Sequence, residues 1–453
     1  MFNCVKIIFN ISETMLPSEL MVIVFTNLEL KDIDVARQVC TMWQSLINTS
    51  VHLWKCLIKN YCDKKKYSKE ILELSIYENI ISSAEKLEKF YRKLVIIQDN
   101  LTKNNYRVRT IDCLEAEIDG KKIQKNSEYK RNNKGVYDMV LDKNVLVASV
   151  YDNIQIWDMS KYQISNILPS SILDEPHEKT TCFDLIDTKY LVCGSQNGYL
   201  KLFTLNGEFL TKAKQNSNYI TDVAFNSNIL ASLDWYGNVI LWRIKWSTSQ
   251  EGESVSLECV SSEDTFIVPR ILAERECERL LYSSSNYLVT TFRTHLSCYK
   301  KNEFFRSYPA PTEVFCICIQ DDNLAFGCKG DAHSTSAGIL NLDPDKFPSV
   351  IYLKTHDNDP IISMSFHDNI LVMGDTNGEL HIVKVDKLRF PELGGEMTVE
   401  LGQDNDCGVE FVSTIRTHEY SFFVWAVKTD SYRIFSGDET GKIIVHDYLM
   451  FED

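Results

Sequence analysis

The sequence predicts a mainly β protein in which an array of repeated strand units follows an all-helical amino-terminal part. Three observations carry this expectation. All 18 glycines lie at or after Gly120, and of ten prolines only Pro17 precedes residue 169; helices avoid both residue types and β turns need them. Between residues 16 and 97 apolar side chains recur at helical steps of three and four. From residue 107 onward one unit recurs: alternating apolar strand, polar turn, second strand, tight turn often ending in Gly, third strand.

Length and composition bound the rest. A chain of 453 residues with 44% apolar and 25% charged content is ordinary for two or three globular domains. No apolar run reaches the ~18–20 residues of a membrane span, and residues 1–10 lack the basic leader of a secretory signal, so no membrane association is expected. The 14 cysteines are scattered without a C-x-x-C pair, and the nine histidines lack metal-ligand spacing. Reduced thiols, no metal and no cofactor are the expectation, in the cytoplasm or nucleus. Charge is uneven. Residues 1–110 carry 16 basic and 12 acidic side chains, net +4; residues 111–453 carry 32 and 51, net −19. The acidic part disfavours nucleic acid and favours basic partners.

The helical part begins at Leu16-Pro17-Ser18-Glu19-Leu20. Pro17 suits a first helical position and Glu19 the positive end of the helix dipole. Leu20, Ile23 and Val24 follow at helical spacing. A second helix opens near Lys31-Asp32 and carries Ile33, Val35, Ala36 and Val39; a third carries Trp43, Leu46 and Ile47; a fourth carries Leu53, Trp54, Leu57 and Ile58. So short a module cannot hide that much apolar surface in its own core, so the surplus needs a neighbour or a partner. Leu-Pro-x-Glu-Leu, the Val24-Phe25 pair, Val39-Cys40-x-x-Trp43 and Leu53-Trp54 occur in order, and the stretch resembles the F-box. Met21 and Ile33 stand where that family more often has Leu. The resemblance implies docking to the Skp adaptor, and through it to a cullin-RING ligase, by Leu16, Pro17, Leu20, Val24, Phe25, Leu28, Ile33, Val39, Trp43, Leu46 and Trp54. The domain expectation is an extension at 1–15, an F-box at 16–60, a helical linker at 61–105 and the strand array at 106–453.

The linker carries Ile76, Ile80, Ala84, Leu87, Tyr91 and Leu94 at steps of four and three among Lys and Glu, an amphipathic helix with a break near Ser82-Ser83. In F-box proteins of this kind such a linker joins adaptor-binding and substrate domains rigidly, a role implied by resemblance alone. Lys64-Lys65-Lys66 reads as a solvated helix end.

Copies of the strand unit place Trp157 and its equivalents at 157, 203, 242, 299, 342, 383 and 446. The spacings are 46, 39, 57, 43, 41 and 63; the short ones fit the ~40–45 residues of a propeller blade and the long ones need extended loops. Asn197-Gly198 and Asn377-Gly378 are strong hairpin signals. The units resemble WD repeats, which implies a seven-bladed β-propeller, although Trp-Asp survives once, at Trp157-Asp158, and the usual Gly-His pair is missing. The fifth unit carries an insertion around Gly330 to Gly338. Arg107 to Asp119 reads as a strand and is positioned to complete the last blade, which removes a free sheet edge. A pair of β-sandwiches is the lesser alternative, since it needs no fixed period.

Catalytic signatures are missing: no G-x-S-x-G, phosphate loop, dinucleotide fingerprint or H-E-x-x-H occurs. His381 and His446 sit in third strands and read as core histidines. Turns between second and third strands hold Tyr151, Trp235, Tyr236, Phe292, Arg293 and Lys329, where such repeats usually carry small polar residues. Aromatic side chains and Arg are enriched at interface hot spots, so these six are the candidate substrate contacts; sideways packing on the next blade is the competing reading. Arg293 and Arg270 alone offer an arginine site for a phosphorylated motif. The functional expectation is a non-catalytic substrate receptor of a Skp–cullin–F-box ubiquitin ligase that holds a protein substrate with a basic segment. The alternative is a scaffold that assembles proteins without ubiquitination.

Overall fold

The structure is a computed structural model that describes residues 18–65, 83–113, 117–118, 121–122, 135–150, 153–168, 180–214, 219–226, 229–249, 252–259, 266–267, 277–282, 287–300, 303–330, 336–355, 359–391, 394–403, 405–418 and 422–448. Two compact units divide the chain: residues 1–106 with 448–453, and residues 107–447. Among the described residues, no helix is long and apolar enough to cross a membrane.

The first unit holds α1 (Ser18–Phe25), α2 (Leu30–Ala36), α3 (Thr41–Thr49), α4 (Val51–Lys65) and α5 (Ala84–Lys103). The expected second helix is shorter than its apolar pattern: α2 stops at Ala36, and Val39 lies in the connection to α3. Ser50 starts α4, its hydroxyl accepting the Leu53 N–H at 3.1 Å, the usual satisfaction of an orphan helix donor. The break foreseen near Ser82-Ser83 falls at Ser83, which precedes α5; Asn104, left-handed at φ 52°, ends that helix beyond the expected Ile97. Residues 66–82, with Lys66, Ile76 and Ile80, lie outside the described residues. Phe25 meets Trp43 edge-on with centroids 5.4 Å apart, and Tyr91 of α5 meets both Trp54 and Tyr61. The Trp54 indole N–H donates to the Ile47 carbonyl at 2.8 Å, so the largest core side chain is buried without an unmet donor. Arg92 of α5 reaches Asp34 of α2 and Glu88, while Arg37 also pairs with Glu88 at 2.7 Å. The chain end returns to this unit: Asn100 Nδ2 donates to the Tyr448 carbonyl at 2.8 Å.

The second unit is a seven-blade propeller. Each blade is an antiparallel sheet built on four strands, from residues 136–168, 180–214, 220–259, 277–309, 314–354, 361–416 and 424–447 in turn. Blades 1 to 7 are named in that order. The inner, first strand of every blade touches the inner strands of both neighbours, from blade 1 round to blade 7 and back to blade 1. The last blade supplies only three strands, and Arg107–Asp112 pairs antiparallel with Lys442–Asp447 as its fourth. This is the closure expected of the Arg107 segment, and it leaves the third strand of blade 7 no bare edge.

The cores lie between blades. Ile156, Leu168 and Phe183 share one cluster across blades 1 and 2, and Met139, Trp157, Phe435 and Ile443 share another across blades 1 and 7. A single sheet has two apolar faces, and neighbours on both sides remove them from water. Buried Arg433 ties the closure. Its guanidinium donates to Asp430, to the Met159 carbonyl at 2.8 Å and to Asn144 Oδ1 at 3.2 Å.

Strand register corrects one expected position. Trp157, Phe203, Trp242, Tyr299, Val383 and His446 each pair with a residue near the start of the second strand, and in blade 5 that place belongs to Leu340, opposite Leu324, rather than to Leu342. Gly338 likewise belongs to the third strand, Ala337–Asn341, and not to the insertion before it. The two long intervals have separate causes. Blade 3 extends its third and outer strands, Asn238–Ser249 and Gly252–Cys259. Blade 6 makes an excursion after Val385 in which Gly395–Glu400 pairs in parallel with the outer strand of blade 5.

Candidate functional site

In the helical unit the expected adaptor-contact residues separate into two sets. Phe25, Ile33 and Trp54 are fully buried and Trp43 nearly so, within a cluster formed by α1 to α5. These four hold the bundle together, with little or no surface of their own in water. Leu28 and Leu46 pack against that cluster and Val24 is half-buried. Leu20 is 46% exposed and Val39 38%, and the same side of the inventory holds Ile23, Val35 and Met42. Leu20 and Ile23 are three apart on α1, hence on one face. Leu16 and Pro17 lie outside the described residues.

In the propeller the tight turns between second and third strands share a device. Asp234, Asp375 and Asp438 end second strands, and one carboxylate oxygen of each accepts two backbone N–H groups of the turn: Tyr236 and Asn238, Asn377 and Glu379, Thr440 and Lys442. In blade 2 the Ser195 hydroxyl accepts the Tyr199 N–H. Gly198, Gly237, Gly378 and Gly441 follow at φ 77° to 84°, a left-handed conformation that side chains resist. The recurring Asp/Ser-x-x-Gly at 195, 234, 375 and 438 is the sequence signal of this device, beyond the Asn-Gly pairs.

This device lifts the middle residues of each turn to the surface. Trp235 and Tyr236 of blade 3 are 39% and 59% exposed; Trp235 also meets Tyr219 edge-on at 5.8 Å, so part of its surface packs sideways. Arg293 of blade 4 is exposed at φ 47°, and its carbonyl accepts the Val314 N–H of blade 5. Lys329 of blade 5 is exposed while its carbonyl accepts the Thr312 hydroxyl. Four expected contacts thus lie between the second and third strands of three successive blades. Tyr151 and Arg270 lie outside the described residues, as does the side chain of Phe292.

Behind the turns lie buried polar relays. His418 Nδ1 is 2.9 Å from Asp438 and its Nε2 is 3.1 Å from the Ser436 hydroxyl. Burial opposes ionisation of Asp438, yet His418 and Thr440 hold its carboxyl below the usual range. His446 is buried as expected, and desolvation together with the field of His418 pushes its imidazole down to about 4. His381 sits between Asp375 at 3.1 Å and the Thr414 hydroxyl at 3.0 Å. Asp375, Glu379 and His381 bring three potential ligand atoms within 4.8 Å, but Glu379 pairs with Arg416 and Asp375 holds the turn. Their polar atoms are engaged within the blade, which makes the trio a structural knot.

Residues 14–60 match the family described as F-box-like. No curated protein matches the chain by sequence. Among solved structures, the computationally designed Ika8 protein superposes at a TM-score of 0.47 with 15% identity, over 70% of this chain and 98% of that one. A chain in the crystal structure of the Mitotic Checkpoint Complex superposes at a TM-score of 0.51 with 11% identity, over 75% of this chain and 93% of that one. At 11% identity the likeness to that chain is one of fold. The chain thus carries an F-box-like domain at residues 14–60 followed by a seven-blade β-propeller.

Proposed function

We propose that this protein is the substrate-recognition subunit of a Skp–cullin–F-box ubiquitin ligase, with a WD-repeat-type propeller that holds a protein substrate. The F-box-like match at residues 14–60 carries the proposal. It is supported by apolar side chains left in water on that module, Leu20, Ile23, Val35, Val39 and Met42 among them. Burying each large side chain contributes ~1.5–3 kcal/mol, against an association cost of ~4–15 kcal/mol, so several anchors must act together. Leu16, Pro17, Leu20, Val24 and Val39 are the proposed contacts, with Phe25, Ile33, Trp43 and Trp54 shaping the surface beneath. The protein performs no chemistry in this reading. It positions a substrate lysine near a ubiquitin carrier and so raises effective concentration. Trp235, Tyr236, Arg293 and Lys329 are proposed substrate contacts, and the cytoplasm or nucleus is the proposed compartment.

The test is capture by purified Skp adaptor. Wild type is expected to bind, and Leu20→Asp combined with Val39→Asp, both at exposed positions, to lose binding while keeping its helical circular dichroism. Failure of wild type to bind, or undiminished binding by the double variant, would leave a scaffold without a link to ubiquitination.

A further inference from the structure

The mouth of the propeller's axis is not uniform around the ring. In six inner strands the ladder skips the second residue: Tyr137, Thr181, Thr221, Phe315, Ile362 and Trp425. Such bulges turn one side chain out of the pairing pattern. Blades 2 and 3 place threonine there: the Thr181 hydroxyl meets the Ile220 carbonyl of blade 3 and the Gly194 carbonyl of its own blade at 3.1 Å, and the Thr221 hydroxyl donates to the Leu233 carbonyl at 3.2 Å. Blades 7 and 1 instead place Trp425 and Tyr137, half-buried with ring centroids 5.6 Å apart, and Phe423 lies 5.3 Å from Trp425 on its other side. The three rings are inclined to one another by about the same angle, 56° and 55°. The Trp425 indole N–H is buried and has no hydrogen-bond partner among the described residues.

A carboxylate acts on the first of these rings, Tyr137. Glu439 occupies the blade 7 tight turn, next to Asp438. Gly135 lets the turn close on blade 1: a Cβ there would lie 2.8 Å from Glu439 Cα and 3.0 Å from the Tyr137 ring. Burial raises the Tyr137 phenol, and the field of Glu439 adds to the shift. Arg279 of blade 4 donates to the Phe315 carbonyl at 3.1 Å, and its charge and that of Lys428 of blade 7 both reach the buried Asp138 of blade 1. Glu439 favours a cationic ligand beside blades 7 and 1. Residues 111–453 carry 51 acidic against 32 basic side chains, which favours the same sign of ligand.

We propose that Tyr137, Phe423, Trp425 and Glu439 form a binding site for a lysine side chain of a basic protein segment. Aromatic faces attract an ammonium through their quadrupoles, and the attraction grows where water is partly excluded. Glu439 supplies the countercharge that apolar packing alone would not need. The proposal deepens the receptor reading and rests on it only for calling the segment a substrate.

The test uses the full chain and a fluorescent Gly-Ala-Lys-Ala-Gly peptide against its isosteric norleucine counterpart, followed by anisotropy. The lysine peptide is expected to bind, with the norleucine peptide about tenfold weaker or worse. Trp425→Ala should weaken binding more than Trp425→Phe, which preserves packing. Glu439→Gln, in a half-exposed turn, should weaken binding several-fold and flatten its salt dependence. Phe209→Ala, on an outer strand of blade 2, should leave binding unchanged. The proposal is overturned if neither peptide binds at millimolar concentration, if norleucine binds as well as lysine, or if both Glu439→Gln and Trp425→Ala bind as wild type. Adaptor capture by the same variants separates the two ideas: peptide binding without adaptor binding removes the ligase and leaves this site standing.

Discussion

The helical unit and the propeller solve the same problem in opposite ways. In the ring, every sheet is covered by the next, so Leu191, Leu230, Val289 and Phe435 vanish from water, and exposed aromatics are left to turns, as at Trp235 and Tyr236, and to outer or extended strands, as at Phe209, Trp246 and Phe304. In the helical unit, Phe25 and Trp54 are equally hidden, yet Leu20, Ile23 and Val35 remain largely exposed in a module far shorter than the ring. A closed array supplies its own neighbours. A handful of short helices does not, because the surface that a small module can bury is limited. Exposed apolar surface therefore carries more information in the first unit than scattered apolar residues do in the second.

Substitution at the ring's closure is the most severe way to break this contrast. Arg433→Ala leaves Asp430 without its cation and strands the Met159 carbonyl at the seam of blades 7 and 1. A loss of about 3–5 kcal/mol is expected, read by denaturant melts of strand signal, with the helical unit intact. Trp54→Ala is the counterpart in the first unit and should cost about 3–5 kcal/mol there, whereas Leu20→Ala, already wet, should change stability by about 0.5 kcal/mol or less. If the two cost the same, the division of the expected contact residues into core and surface is wrong.

The pH response sharpens the picture inside the ring. The folded His446 imidazole sits at about 4, below its unfolded value near 6.5. Between those values the unfolded state binds more protons, so this group makes stability fall as pH falls, by roughly 3 kcal/mol. Asp184, on the inner strand of blade 2, is pushed up to about 6, chiefly by burial. Its sign is opposite: the folded state holds the proton, and the contribution is lost as pH rises through 6. The two oppose each other between pH 4 and 6. Asp184→Asn should therefore leave a stability that rises with pH across that window, and His446→Gln one that falls. Parallel slopes in both variants would refute the assignment.

The smallest effect is expected in the charged seam of α2 and α5. Arg92 holds Asp34 below the usual carboxylate range, but both side chains are about a third or more exposed, at 33% and 41%. Arg92→Ala should cost about 1 kcal/mol or less, and added salt should erase most of it. A larger loss would mean that the packing of the arginine stem, rather than charge, joins the two helices.

Much of this architecture was legible in residue order. Missing glycine before Gly120 and the return of strand–turn–strand patterns separated helix from sheet, because backbone freedom and side-chain periodicity are local properties. The closing role of Arg107–Asp112 followed from a last blade one strand short. Position 342 was misread because an apolar run does not reveal register; only the pairing of Leu324 with Leu340 does.

Local pattern by itself determined which segments are helices, which are strands and roughly how many blades they form, since those follow from φ/ψ preference and from which side chains shun water. It could not tell Trp54 from Leu20, both apolar and both in a helix, because burial depends on what other segments bring alongside. Nor could it join Tyr137 to Trp425 and Glu439, nearly 300 residues apart along the chain, until the ring closed and made the first blade and the last into neighbours.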